Sequence, residues 1–161
     1  MEIKPIKRNV SLIKLSRDHH AGLLFCWKLR QGVKYHIKKD RMISYVKYFW
    51  ANHFSEHFKE EEEILFGPDR SEEVQKALAD HQKIKTFFEN INDSVLEKEE
   101  NVLLELADSV DDHIRFEERV LFPHLQEKLS DKQLEKIGSQ LVHEPFVDSY
   151  EDEFWVKSKS L

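Results

Sequence analysis

The sequence predicts an all-α protein: an antiparallel up-down-up-down four-helix bundle with a short C-terminal helix and tail. Apolar residues recur at spacings of three and four along four long stretches, as in helices that bury one face. The 161 residues include only 4 Gly and 4 Pro, which favours long uninterrupted helices. We expect one domain over residues 1–161, with the bundle at about 11–128 and the C-terminal helix and tail at 130–161.

The first two helices are bounded by glycine. Helix one is predicted at residues 11–31, with Gly32 placed to end it. Helix two is predicted at about 40–66, because the Gly67-Pro68 pair stops a helix there. Both boundaries therefore depend on the same assumption, that a glycine after an apolar repeat marks a helix end.

The later helices have recognisable polar starts. Ser71 is a suitable N-cap for helix three, which is predicted to run to about residue 94. Helix four is predicted at about 98–128, with Pro123 expected to bend or tighten its end. Ser130 and Gln133 form the pattern of a capping box for a fifth helix that ends near residue 141. The tail from His143 onward is aromatic, and the sequence leaves open whether it covers the core or forms an interface.

Charge and composition exclude several classes of protein. The formal net charge is −6, which disfavours a nucleic-acid binder because such domains are usually basic. No run of about 18 apolar residues occurs, so no membrane-spanning helix is expected. Residues 1–10 lack the apolar segment of a signal peptide, and the single cysteine, Cys26, cannot form an internal disulfide. We therefore expect a cytoplasmic protein.

Each predicted core stripe contains a histidine, and two stripes add a glutamate one turn later. These inward-facing residues are His19, His57, Glu61, His81, His113 and Glu117. Buried carboxylates cost several kcal/mol each unless they are neutralised, and neighbouring ones repel each other. A pair of metal ions would resolve this conflict by neutralising the carboxylates. A glutamate four residues after a histidine lies on the same helical face, about 6 Å further along, so both side chains could reach the same pair of ions. His53, one turn before His57, is predicted to be a core-edge histidine, with an accessory metal ligand as the alternative.

The two halves of the chain repeat the same pattern. Residues 57–66 and 113–122 both read His-x3-Glu-x3-Leu-Phe, and the Asp-His pair at 18–19 recurs at 80–81. Each half thus contributes one histidine and one His-x3-Glu pair. Two helical hairpins related by an approximate two-fold axis would supply ligands symmetrically to two metals.

These residues resemble a known family. The segments HHAGL, HFKEEEEILF, DHQKI and HIRFEERVLFP are similar to the hemerythrin-like, or HHE cation-binding, domain, over about residues 11–128. The resemblance implies an antiparallel four-helix bundle around an oxo- or hydroxo-bridged di-iron centre. It implies iron in preference to zinc or manganese, and as ligands His57, Glu61, His81, His113 and Glu117. For helix one it implies His19 or His20, and the register of the core stripe favours His19.

The chain departs from the oxygen-carrying members of that family. Those proteins have a histidine pair at i and i+4 on the third helix, whereas here Ala77 precedes His81 by four residues. On the fourth helix they have a histidine and a more distant aspartate, whereas here His113 is followed by Glu117. The resulting set of four His and two Glu is one histidine short and more symmetric, which disfavours a simple reversible oxygen carrier.

Two classes of function are consistent with these residues. The first is a non-haem di-iron protein that binds oxygen or nitric oxide, or takes part in iron or oxygen sensing or storage. The second is a di-iron redox enzyme of the oxidase, peroxidase or ferroxidase type, or one that repairs iron centres. A third alternative is a structural bundle with an incidental metal. The sequence does not decide among these, and it names no protein partner.

Overall fold

The computed structural model describes residues 7–92, 101–141 and 144–159, and all regular secondary structure in these ranges is helical. A 3-10 turn, Val10–Leu12, leads into α1, Ile13–Lys34. Helix α2 covers residues 39–66, α3 is Glu72–Asn90, α4 covers residues 102–128, and α5 is Asp131–Gln140. A final 3-10 turn is Lys157–Lys159. Within the described ranges, no helix combines the length and apolar character that crossing a membrane requires.

Two of the long helices contain π-helical turns. In α2 these are Trp50–Phe54 and Glu61–Phe66, and in α4 the turn is Glu117–Leu121. Helix α4 neither ends nor tightens at Pro123, although the sequence predicts a bend or a tighter turn there. Instead, a wider π-helical turn precedes the proline, and the helix continues to residue 128. Proline lacks the N–H that would bond to the preceding turn, so a wider turn there accommodates it. Two of the three π-turns begin at a glutamate that the sequence predicts to be a metal ligand.

The predicted helix ends are confirmed in part. Gly67 adopts φ 51° and ends α2, and the capping box of Ser130 and Gln133 begins α5. The prediction for Gly32 is wrong, because α1 continues through it to Lys34. A Cβ at Gly32 would lie 2.6 Å from the Met42 Sδ atom and 2.9 Å from the Phe154 ring, so close packing is what requires glycine here. The predicted end of helix three near residue 94 is wrong, because the helix ends at Asn90 and Ile91 is extended. The predicted start of helix four near residue 98 and the start of the tail at His143 lie outside the described residues.

The buried apolar residues form two clusters with the polar residues between them. The larger cluster contains Phe25, Leu29, Tyr45, Phe49, Phe54, Phe88, Val110 and Ile114. The smaller one contains Leu12, Leu15, Leu65, Phe66, Val74, Leu121, Phe122 and Leu125. His81 contacts both clusters, since its ring stacks on Phe58 at 4.0 Å and lies 5.8 Å from Phe66. The histidine and glutamate layer is therefore enclosed by apolar side chains.

The C-terminal tail packs against α1 and α2. Phe154 and Trp155 are buried in the larger cluster. Asp148 accepts hydrogen bonds from Lys28 Nζ at 2.7 Å and from the Tyr45 hydroxyl at 2.5 Å. The described part of the tail therefore covers the core, which is one of the two roles that the sequence leaves open for it.

Candidate metal centre

The structure brings the six inward-facing residues together in two overlapping groups. In each group the potential ligand atoms all lie within 4.8 Å of one another. Every member is buried, and Glu61 and Glu117 have no exposed surface. Both glutamates belong to both groups, which are His19, His57, Glu61 and Glu117, and Glu61, His81, His113 and Glu117.

Each of the four long helices supplies one histidine to this layer. His19 lies on α1 and His81 on α3, whereas α2 and α4 each supply a histidine and, one turn later, a glutamate. His20 is exposed and lies outside both groups. The difference follows from helix geometry, because one residue rotates a side chain by about 100° around the axis and so turns it away from the core.

The Nε2 atoms of all four histidines face the two carboxylates. His57 Nε2 and His81 Nε2 each lie 3.2 Å from Glu61 Oε1. His113 Nε2 lies 3.0 Å from Glu117 Oε1, and His19 Nε2 lies 3.1 Å from the same oxygen. Four nitrogens with lone pairs and two carboxylates thus converge on one small volume.

The Nδ1 atoms point away from the glutamates towards a second set of carboxylates. His19 Nδ1 lies 2.8 Å from Glu118, and His57 Nδ1 lies 3.0 Å from Asp18. His113 Nδ1 lies 3.1 Å from Asp80. Outer carboxylates of this kind fix the orientation and tautomer of metal-binding histidines and increase their basicity.

From the sequence alone, Asp18 and Asp80 could be surface caps or could reach an imidazole N–H, and Glu118 is expected on a solvated face, with an extra metal ligand as the alternative. A signal for them is nevertheless present, because Asp18 and Asp80 directly precede His19 and His81. Glu62 and Glu118 directly follow the inward-facing glutamates. Each outer carboxylate serves a histidine on another helix, so only the packing of the helices reveals the pairing.

The carboxylates favour protonated histidines when no metal is bound. Burial alone would lower the pKa of His81, but the nearby carboxylates of Glu61, Glu62 and Glu117 outweigh it and raise that pKa to about 10. The pKa of His19 is raised well above its ordinary value, because Glu117, Glu118 and Glu61 overcome the effect of burial. The pKa values of His57 and His113 are raised for the same reason.

Several buried polar atoms in this layer have no hydrogen-bond partner. They are His57 Nε2, both carboxylate oxygens of Glu61, both ring nitrogens of His81, His113 Nε2 and Glu117 Oε2. Buried polar groups are normally satisfied, and those left without a partner call for a specific explanation. All of them except His81 Nδ1 face the shared volume, so cations held there would satisfy them. The residues present therefore fit a pair of metal ions.

Comparison with known families agrees with this geometry. The description "Hemerythrin HHE cation binding domain" matches residues 13–128, which is most of the chain. The chain belongs to the hemerythrin HHE cation-binding family. The match extends from the start of α1 to the end of α4, so it includes all six residues of the hemerythrin-type cluster. No curated protein and no solved structure matches the chain significantly.

His53 is buried beside the six inward-facing residues but belongs to neither of the two groups of potential ligands. Burial and the neighbouring His57 lower its pKa to about 4, so it is neutral at pH 7. Its Nε2 atom lies 3.1 Å from the backbone oxygen of Asp18, and its ring stacks on Phe146 at 4.3 Å. These contacts are those of a packed core-edge histidine, as the sequence predicts.

Proposed function

We propose that this hemerythrin-family chain binds two iron ions and, at that centre, a small diatomic ligand, oxygen or nitric oxide. The observation that carries the proposal is the pair of overlapping groups that share Glu61 and Glu117. His19 and His57 would hold one ion, and His81 and His113 the other. The two shared carboxylates would span both ions and balance their charge.

Iron is the proposed metal because of the ligand types and the family. Imidazole and carboxylate ligands suit iron, and they also suit zinc and manganese, so the choice of iron rests on the family. Bound iron would supply a change of oxidation state and open positions for a diatomic molecule. The protein contributes an apolar enclosure, since Phe122 stacks on His19 at 5.2 Å and Phe58 on His81 at 4.0 Å. Such walls favour a small neutral ligand over an anionic substrate, and a role in sensing or storage would use the same centre.

We propose that the four long helices form an antiparallel up-down-up-down bundle within a single domain. Two sets of ion pairs support this arrangement. Arg8, just before α1, pairs with Glu118 in the second half of α4 at 3.0 Å and also donates to Gln126 near its end. Arg30, near the end of α1, pairs with Asp108 near the start of α4 at 2.7 Å. Opposite ends of α1 and α4 are therefore adjacent.

The proposed compartment is the cytoplasm, and no nucleic-acid partner is proposed. Cys26 is buried and its thiol pKa is raised to about 12 by burial, so it has little tendency to react. A single inert thiol is compatible with a reducing environment. The acidic net charge of −6 is the reason for excluding nucleic acid.

A redox enzyme is the second candidate function, and one chain of contacts favours it. Lys14 Nζ donates to Asp18 at 2.8 Å, and Asp18 in turn accepts from His57 Nδ1. Lys14 and Asp18 also line a cavity of about 320 Å³ that reaches the surface. These groups could transfer protons between solvent and the centre, which an oxidase or ferroxidase requires and a simple carrier does not.

Metal analysis of matched variants tests the proposal. The wild-type protein from iron-supplemented cells should contain close to two irons per chain, with visible bands that bleach on anaerobic reduction. His19→Ala should lower the iron content, whereas His20→Ala, its exposed neighbour, should leave both iron content and spectrum unchanged. Full recovery of the bands with oxygen would favour ligand binding, and turnover with peroxide or excess ferrous iron would favour the enzyme.

One result would contradict the proposal outright. If the folded wild-type protein takes up no iron, the remaining interpretation of the chain is a structural helical bundle.

A further inference from the structure

The two halves of the centre are equivalent in sequence but not in structure. The Asp-His pair at 18–19 corresponds to the pair at 80–81, and Glu118 corresponds to Glu62. Each Asp-His pair is also preceded, four residues before the aspartate, by a lysine. If the packing followed this symmetry, every histidine would have the same outer partner at the same distance. The structure departs from that expectation in three places.

The first departure concerns the histidines of α1 and α3. His19 Nδ1 donates to Glu118 at 2.8 Å, and Arg8 anchors that carboxylate at 3.0 Å. His81 Nδ1, although buried, has no hydrogen-bond partner, and the nearest oxygen of Glu62 is 3.6 Å away. The Glu62 side chain is also 42% exposed, against 28% for Glu118. His19 is therefore oriented from outside, whereas His81 is not.

The second departure concerns the two aspartates. Both accept from a histidine Nδ1 at nearly the same distance, 3.0 Å for Asp18 and 3.1 Å for Asp80. Asp18 is only 4% exposed, however, and the Asp80 side chain is 25% exposed. Water screens the charge of the more exposed aspartate and competes for its lone pairs.

The third departure is a difference in sequence at one pair of related positions. Glu60 precedes Glu61, whereas Phe116 precedes Glu117. Lys14, 15% exposed, binds both Asp18 and Glu60, at 2.8 and 2.5 Å. The related Lys76 binds Asp80 at 2.9 Å, but it is 54% exposed and lies over the Phe116 ring at 4.4 Å, with no second carboxylate in the place of Glu60. The network behind His19 and His57 is therefore buried and includes an additional carboxylate, whereas the network behind His81 and His113 is more exposed.

Access from the surface differs in the same direction. A cavity of about 600 Å³ borders His81 and is lined by α2 and α3 residues, including Phe58, Glu62 and Gln82. The cavity beside His57 is smaller, about 410 Å³, and Pro145 and Phe146 of the tail border it. Tail residues thus adjoin the first position, and none of them lines the cavity at His81.

We propose that the two metal positions are inequivalent, so that the His19–His57 position fills first and tightly, and the His81–His113 position fills second and exchanges. Glu118 is the positioning residue that makes most of the difference. Outer carboxylates orient metal-bound histidines, and their loss typically costs about 10- to 100-fold in metal affinity. The inference rests on the proposed function, since it concerns two ions bound by the six residues.

Stepwise titration of the metal-free protein with Co²⁺ tests this inference, because Co²⁺ absorbs visible light and needs no oxidation. The expected result is two separate binding steps. A crystal grown with one equivalent of Co²⁺ should show anomalous scattering at the His19–His57 position. A single step with two equal affinities, or a first ion at the His81–His113 position, would overturn the inference.

The symmetry of the chain supplies a matched pair of variants. Glu118→Gln should weaken the first step by about 10- to 100-fold. The mirror variant Glu62→Gln should change the second step by at most about fivefold, because an exposed group at this distance contributes little. Arg8→Gln, which frees Glu118 without removing it, should give a smaller loss in the first step. Melting of the metal-free forms verifies that all three variants fold.

The outcomes separate this inference from the proposed function. Equal losses in Glu118→Gln and Glu62→Gln would refute the inequivalence while leaving a two-metal protein. Absence of Co²⁺ binding to the wild type would refute the proposed function, and the inference with it.

Discussion

Metal binding should release protons, because nearby carboxylates raise the pKa values of the histidines of the centre in the metal-free protein. Four imidazoles face six carboxylates, which are Glu61 and Glu117 within the layer and Asp18, Asp80, Glu62 and Glu118 around it. The pKa values of all four histidines are raised by these charges. A metal ligand must be neutral imidazole, so each ion displaces the protons from its two histidines.

The size of the effect follows from His81. Its pKa of about 10 lies three units above pH 7, so removal of its proton at pH 7 costs about 4 kcal/mol, or a thousandfold in metal affinity. That penalty shrinks tenfold per pH unit between pH 7 and 10. His81 alone should therefore release about one proton, and the affinity of the ion that it binds should rise about tenfold per pH unit in this range.

Calorimetry in buffers of different ionisation enthalpy measures this release. Titration of the metal-free protein at pH 7 should give heats that vary between phosphate and Tris in proportion to the protons released. Equal heats in both buffers, and an affinity that does not change from pH 6 to pH 8, would show that the imidazoles are neutral before the metal binds. That outcome would refute the electrostatic reasoning even if two ions bind.

The stability of the metal-free protein should respond to pH in the opposite direction. A histidine whose pKa is raised in the folded state stabilises that state below its unfolded pKa of about 6.5, and the contribution is lost as the pH rises through the folded value. For His81 this window extends from about 6.5 to about 10. The metal-free protein should therefore melt at a lower temperature at pH 10 than at pH 6.5, in circular dichroism scans with a chelator present.

Three further predictions concern packing and helix capping, and each is tested by thermal and urea unfolding. Gly32→Ala should destabilise the fold by about 1–2 kcal/mol, since a clash with Met42 and Phe154 outweighs the helix propensity gained; a more stable variant would refute the close packing. Phe154→Ala should cost about 3–5 kcal/mol because the ring is fully buried, whereas Val147→Ala, 70% exposed in the same tail, should change stability by less than about 0.5 kcal/mol. Ser130→Ala removes the cap of α5 and should cost about 1 kcal/mol; no loss would show that the capping box contributes nothing.

The helices were predictable from the sequence because periodicity is an average over many residues. The π-helical turns within them were not predictable, since such a turn adds one residue locally and leaves the apolar repeat on either side recognisable. Gly32 shows a second limit. A glycine after an apolar repeat is expected both where a helix ends and where a neighbouring element approaches closely, and the residue that approaches, Phe154, is more than a hundred positions away in the chain.

The inner residues of the centre were predictable, and the outer ones were not. An inward-facing glutamate or histidine breaks an apolar stripe and is conspicuous for that reason. Glu62 and Glu118 do not interrupt an apolar stripe, because they lie in charged runs on the sides of their helices. Whether such a residue meets a histidine depends on the distance between two helices: Glu118 lies 2.8 Å from His19 Nδ1 and forms a hydrogen bond, whereas Glu62 lies 3.6 Å from His81 Nδ1 and does not.

The repeated pattern of the chain explains why its outer residues matter for function. Both metal positions have the same inner ligands, two histidines and two shared carboxylates, so the inner ligands cannot make one ion differ from the other. Any difference must come from the outer residues, either because a conserved pair such as Glu62 and Glu118 packs differently or because the repeat does not conserve a pair between the halves. Glu60 and Phe116 are such a pair, and each lies next to a shared glutamate. A difference in behaviour between the two ions would then depend on the outer residues behind the ligands, and on the packing that decides which of these outer residues reach an imidazole.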